Sequence, residues 1–169
     1  MYLKQHRQNF SRILAAAICL ITCACSMLGG APDLERASGY QVEAPSEWSR
    51  RSRGDSDKAY SLPTGNVVTV VSSCHRNSTA PLDVLTRHLL MGTRDVQVKK
   101  RQKLKLGPNE GLNSRIVAKM EGQPIHLELF VLAKNDCVFD FSLVSPQEIP
   151  EGDSKAFHQF IASFRYGKD

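Results

Sequence analysis

The sequence predicts an α+β fold, an antiparallel β-sheet flanked by helices. Three observations point to it. Val67-Val68-Thr69-Val70-Val71 is a β-branched run that favours a strand. Leu112 to Val144 alternates apolar and polar residues in three stretches separated by short turn signals. Two further segments, one between these strand regions and one at the end of the chain, carry apolar residues at helical spacing. Strands, a helix, a block of strands and a final helix describe a sheet covered by helices rather than an alternating α/β chain.

Taken in order, Tyr40 to Glu43 reads as a short strand ended by Pro45, and Glu47 to Ser52, around the single Trp48, as another. Arg53 to Asp57 is a polar turn, and Ala59 to Leu62 is strand-like and stops at Pro63-Thr64-Gly65. In the strand from Asn66 to Cys74, alternation puts Val68, Val70 and Cys74 on one face. Pro81, suited to the first helical position, opens a helix with Leu82, Leu85 and Leu89 that ends at Gly92. Asp95 to Leu106 sets Val96, Val98 and Leu104 among lysines, the pattern of a charged edge strand. Leu112 to Met120 aligns Leu112, Ile116, Ala118 and Met120, and Glu121-Gly122 turns the chain. Ile125 to Ala133 directs Ile125, Leu127, Leu129 and Val131 inward, and Asn135-Asp136 turns it again. Cys137 to Val144 groups Cys137, Phe139, Phe141 and Leu143. After a loop from Pro146 to Gly152, Asp153 or Ser154 caps a helix whose Phe157, Phe160, Ile161 and Phe164 form one apolar stripe.

The first 24 residues have a different character. Met1 to Arg12 holds Lys4, Arg7 and Arg12 and no acid, and Ile13 to Ala24 is almost wholly apolar. This is the layout of an export signal, too short for the about 20 apolar residues of a membrane span. Its end, Ile21-Thr22-Cys23-Ala24-Cys25, resembles a lipobox, the cleavage motif of bacterial lipoproteins. Cys25, preceded by the small Ala24, is the favoured lipidation site; Cys23, preceded by Leu20-Ile21-Thr22, is the alternative. The resemblance implies a diacylglycerol on the cysteine sulfur and an acyl chain, such as palmitate, on its amine, and Ser26 in place of Asp implies sorting to the outer membrane. The expected organisation is a signal peptide over 1–24, a flexible tether over 25–38 and a single domain over 39–169.

Removal of the signal changes the charge. The chain has 22 basic and 17 acidic residues. Without Lys4, Arg7 and Arg12 the balance is 19 against 17, which gives no case for nucleic-acid binding. It also leaves Cys74 and Cys137 as a pair in an oxidising compartment. A Cys74–Cys137 disulfide is the expectation, closing a loop whose entropy is worth roughly 4 kcal/mol at most; two separate buried thiols are the alternative.

No Ser-His-Asp arrangement, phosphate-binding glycine loop, CxxC pair or HExxH pattern is present, so no catalytic residue, metal site or cofactor is expected. Cys74-His75 is a thiol beside an imidazole, but neighbours on a strand point to opposite faces. His88, His126 and His158 are scattered and read as surface or rim residues, as does Asp140 between Phe139 and Phe141. The strongest local charge is Lys99-Lys100-Arg101-Gln102-Lys103-Leu104-Lys105. It reads either as a solvated edge strand or as a patch for anionic lipid or an acidic partner, extended by Arg50, Arg51 and Arg53 if the strands are neighbours.

Gly39-Tyr40-Gln41-Val42-Glu43-Ala44-Pro45-Ser46-Glu47-Trp48 resembles the strand, Pro, x, x, Trp opening of PsbP-like domains. Phe157-His158-Gln159-Phe160-Ile161-Ala162-Ser163-Phe164 resembles their closing helix, which runs into a Ser-Phe strand. The resemblance implies an α/β/α sandwich and a mostly non-catalytic role docked on larger assemblies. The functional expectation is a lipid-anchored envelope protein, facing the periplasm, that serves as an accessory or binding module with a protein partner. The alternatives are a small-molecule or lipid binder with an apolar pocket and, last, a hydrolase.

Overall fold

The computed structural model describes residues 35–52, 54–74 and 79–167. Cys23 and Cys25, His75 and Arg53 lie outside the described residues. Seven strands follow in chain order: β1 (Ser49–Arg51), β2 (Lys58–Ser61), β3 (Val67–Cys74), β4 (Thr93–Leu106), β5 (Asn109–Met120), β6 (Gln123–Lys134) and β7 (Cys137–Ser145). Helix α1 (Leu82–His88) joins β3 to β4, and α2 (Glu151–Ala162) follows β7. The strands form one sheet in the order β1-β2-β3-β7-β6-β5-β4, and every neighbouring pair is antiparallel. The α+β class read from the sequence is therefore the observed one.

Two turns in the β4–β7 meander have both central residues at positive φ: Glu121 (50°) with Gly122 (81°), and Asn135 (51°) with Asp136 (56°). This is the backbone of the tight hairpin turn whose twist matches the flanking strands. Asn-Asp makes it without glycine because both side chains tolerate the left-handed region.

The sheet buries both faces. On one, Val68 and Val70 of β3, Phe139, Phe141 and Leu143 of β7, and Phe130 and Leu132 of β6 meet Phe157, Phe160 and Ile161 of α2. Aromatic rings knit this layer: Phe141 lies 6.2 Å from Phe160 and 5.6 Å from Phe164, and Trp48 lies 5.3 Å from Phe160. On the other face, Leu85 of α1 packs on Val131 and Val138, while Leu90, just beyond α1, packs with Ile116, Leu127 and Leu129. Strand β6 is thus covered on both sides. The Leu127/Leu129 set and the Phe139/Phe141 set, each correctly grouped from alternation, face opposite layers.

Cys74 and Cys137 form a disulfide and sit directly opposite each other where β3 pairs with β7. The segment before residue 39 already holds on β3: Glu35 accepts from the Cys74 N–H at 2.8 Å, and the Ala37 N–H donates to Ser72 Oγ at 2.9 Å. The short strand expected at Tyr40 to Glu43 is one bridge, Gln41 with Arg165.

Helix α2 starts earlier than expected, after Pro150, and neither Asp153 nor Ser154 caps it. Both side chains are committed elsewhere. Asp153 accepts from Thr64 Oγ1 and Asn66 Nδ2, each at 2.6 Å, and so ties the β2–β3 turn to the helix. Ser154 turns into the sheet.

Gly111 of β5 lies under the Phe130 ring, and a Cβ at that position would collide with it. Phe130 is buried and has no room to yield. Gly111→Ala is expected to destabilise the fold by about 1–3 kcal/mol in urea unfolding. Gly152→Ala, in open space in α2, is expected to be neutral or stabilising.

Candidate functional site

The polar centre of the molecule is Glu128, fully buried at 0% exposure on β6. Its neighbours on the strand, Leu127 and Leu129, face α1, so alternation turns Glu128 toward α2. Arg115 of β5 is its register partner and Asn113 lies one step along the same face. From α2, Ser154 and His158 stand one turn apart above it. Four donors converge on the carboxylate. Oε1 receives His158 Nε2 at 2.7 Å and Asn113 Nδ2 at 3.2 Å. Oε2 receives Ser154 Oγ at 2.7 Å and lies 3.3 Å from Arg115 Nε. Arg115 Nη2 also donates to Ser154 Oγ.

Burial pushes the Glu128 carboxyl up, but the bonds from His158 and Ser154 and the charges of His158 and Arg115 outweigh it, holding it at about 2, below its ordinary 4.5. A carboxylate so far below neutrality is a poor proton acceptor or donor at pH 7. Ser154 gives its proton to Glu128 rather than to His158, so the three residues do not form a nucleophile with its base. What the arrangement does is position: it fixes His158 (37% exposed side chain) and Arg115 (45%) at the surface from a buried root.

Two open clefts flank Arg115. One, about 450 Å³, is lined by Lys99, Arg115, Val117, His126, Glu148 and Ile149 among others. The other, about 420 Å³, is lined by Arg115, Glu151, Ser154, Lys155, His158 and Gln159 among others.

Asp140 behaves in the opposite way. It lies on β7 between Val71 and Val131, on the α1 side, and its Oδ1 is buried with no hydrogen-bond partner among the described residues. Burial alone raises its carboxyl to about 7. The residue as a whole is half-buried, in keeping with the rim position expected for it, and Oδ1 is its buried atom.

The basic run lies on β4, the outermost strand. It is not one patch. Lys100 pairs with Arg115 on the α2 side, with Lys99 beside it at a register shift. Arg101 and Lys103 pair with Ser114 and Leu112, on the α1 side, and Lys105 pairs with Glu110. Arg101 donates to Ser114 Oγ at 3.3 Å, and Lys103 pairs with Glu110 at 2.7 Å. Arg50 and Arg51 do not extend the run, since β1 occupies the opposite edge of the sheet. Cys74 is bonded to Cys137 and is not a free thiol. His88 is exposed, and His126 and His158 are half-buried. Among the described residues, no three His, Cys, Asp or Glu side chains assemble into a group able to hold a metal.

No family model matches the chain, and no curated protein matches it. Solved structures do. The solution structure of cyanobacterial PsbP from Synechocystis aligns with a TM-score of 0.55 at 15% identity, over 83% of this chain and 96% of that one. The fold is PsbP-like. A crystal structure from Bacteroides thetaiotaomicron aligns with a TM-score of 0.52 at 13% identity over 77% of this chain, which spans only 46% of that one. A Pseudomonas aeruginosa protein of unknown function aligns over 82% of this chain and 90% of its own, at 14% identity and a TM-score of 0.48. The PsbP-like resemblance read from the two ends of the sequence is a resemblance of architecture, with the sheet between α1 and α2.

Glu128 and Asp140 give opposite pH signatures. The folded value for Glu128 lies below the unfolded one, so its contribution, roughly 3 kcal/mol, is present above pH 4.5 and is lost as pH falls toward 2. Glu128→Gln is expected to lower stability by about 3 kcal/mol at pH 7 and to flatten the acid limb of the urea midpoint plotted against pH. Asp140 has a folded value above the unfolded 3.8, so its ionisation weakens the fold progressively as pH rises from 3.8 through 7. Asp140→Asn is expected to gain roughly 2–4 kcal/mol at pH 8 and almost nothing below pH 4, in the same measurement.

Proposed function

We propose that this chain is a lipid-anchored envelope protein, at the outer membrane and facing the periplasm, that serves as a non-catalytic accessory or binding module of a larger assembly. The observation that carries the docking role is the corner where β4 begins. Met91, Val96, Val98 and Met120 are exposed there, Met91 by 76%. Thr93 pairs with Met120 and Val98 with Ile116, so Val96, Val98 and Met120 lie along the same end of the β4–β5 pair. Large apolar groups left in water on one corner are a common mark of a contact surface.

The export signal and lipobox resemblance, with Cys25 or Cys23 as the modified residue, support the anchor. A membrane tether raises local concentration, so a modest docking surface suffices. The polar cluster under α2 favours binding over catalysis, since Ser154 and Glu128 are bonded to each other and the carboxyl is far from neutrality. A second reading, a ligand-binding lipoprotein, draws support from the two clefts beside Arg115. A hydrolase has the least support, because His158 is bound to Glu128 and not to Ser154.

Crosslinking in intact envelopes, followed by pull-down of the anchored protein, is expected to recover a stoichiometric protein partner. Its yield is expected to fall about tenfold in Val98→Glu, which places a charge in the apolar corner. Recovery of no stoichiometric partner, or equal recovery with Val98→Glu, overturns the docking reading.

A further inference from the structure

Arg115 is a surface cation anchored from inside the protein. Its Nε faces the buried Glu128 carboxylate and its Nη2 donates to Ser154, while Nη1 has no partner among the described residues. One edge of the guanidinium is therefore fixed from inside the protein, and the remaining donors face the clefts on either side. A planar fork held in this way loses little freedom when it binds an anion. The support behind it is equally fixed: Ser154 and His158 hold the carboxylate from α2, and Asn113 holds it from β5.

The larger cleft adds the rest of a small-molecule site. Lys99 lines the cleft and bonds the neutral Gln97, at 2.8 Å, and forms no ion pair among the described residues. His126 lies on the strand beside Val117, its register partner. The apolar side chains available are Val117 and Ile149, because those of Ile116 and Leu127 pack into the opposite face and line the cleft from behind. At about 450 Å³ the cleft is within the range of small-ligand sites. The two cations, the apolar wall and one carboxylate, Glu148, line the same cleft.

We propose that this cleft binds an organic anion, a phosphate or carboxylate carrying a short apolar group, with Arg115 as its anchor and Lys99 as its second cation. The site is separate from the apolar docking corner and does not depend on it. Its occupant is either a free small molecule or a lipid headgroup, which share the same chemistry.

The test is calorimetric titration of the full-length chain, held in phosphatidylcholine nanodiscs, with phenyl phosphate and with inorganic phosphate. Phenyl phosphate is expected to bind, and more tightly than inorganic phosphate. Arg115→Gln and Lys99→Glu are each expected to weaken it about 10- to 100-fold, as loss of a charge-assisted bond does. Lys99 is exposed, so its variant keeps the fold even if loss of Arg115 disturbs Glu128. Lys103→Gln, on the other side of β4, is expected to leave binding unchanged. Repeating the titration in phosphatidylglycerol nanodiscs separates the sources: suppressed binding identifies a headgroup as the competitor, and retained binding a free anion. No binding of phenyl phosphate, or binding indifferent to both Arg115→Gln and Lys99→Glu, overturns the site. Equal binding of inorganic phosphate overturns its apolar part.

Discussion

One fully buried carboxylate governs the α2 side of this molecule. An ionised glutamate in a protein interior is tolerated only when its lone pairs are filled by well-placed donors. Glu128, on β6, meets that demand with residues from two other elements: Asn113 and Arg115 from β5, and Ser154 and His158 from α2. The bonds are directional, whereas the aromatic layer of Phe130, Phe141, Phe157 and Phe160 is not. The Phe stripe supplies the adhesion of helix to sheet, and Glu128 selects the register in which the helix lies. A helix displaced by one turn along its axis would keep the same apolar face toward the sheet and strand the charge.

The two sides of the sheet treat acidic groups in contrary ways. Glu128 is surrounded by donors and stays charged far into acid, while Asp140, opposite Val71 and Val131 and with no donor to Oδ1 among the described residues, is pushed toward the neutral form. Depth alone does not separate them, since Glu128 is the more deeply buried. The difference is the supply of hydrogen bonds. The α1 face places Val71 and Val131 opposite Asp140, with the nearby Thr69 and Ser142 bonded to each other, and the α2 face offers an arginine, an asparagine, a serine and a histidine.

Much of the fold was legible from the chain. The β-branched run at Val67, the hairpin signals at Glu121-Gly122 and Asn135-Asp136, and the Phe157/Phe160/Ile161/Phe164 stripe each depend on local spacing, and each appears where local spacing puts it. The centre at Glu128 was not legible. The strand was read with one buried face, Ile125 to Val131, which leaves Glu128 nominally outside. The available signal was Phe130 and Leu132 on Glu128's own side, which mark a strand covered twice. Ser154 was misread for a related reason: a serine near a helix start suits a cap, and only the sheet opposite reveals another claim on its hydroxyl. Long-range partners leave no periodic trace, and the same is true of the gap between β1 and β4 that separates Arg50 and Arg51 from the lysine run.

The pairing of β3 with β7 joins an early hairpin to a late meander, and it is the least local contact in the sheet. Strands β4 to β7 follow one another through short turns, so their alignment is set by neighbours in the chain. β3 has no such guide, for its partner lies beyond α1 and three further strands. Cys74 and Cys137, opposite each other at the end of this pairing and 63 residues apart in sequence, supply one. A slip by a single residue would send one sulfur to the opposite face. Oxidation therefore acts as a proofreading step: only the correctly aligned seam can be sealed, and once sealed it no longer has to find its alignment again.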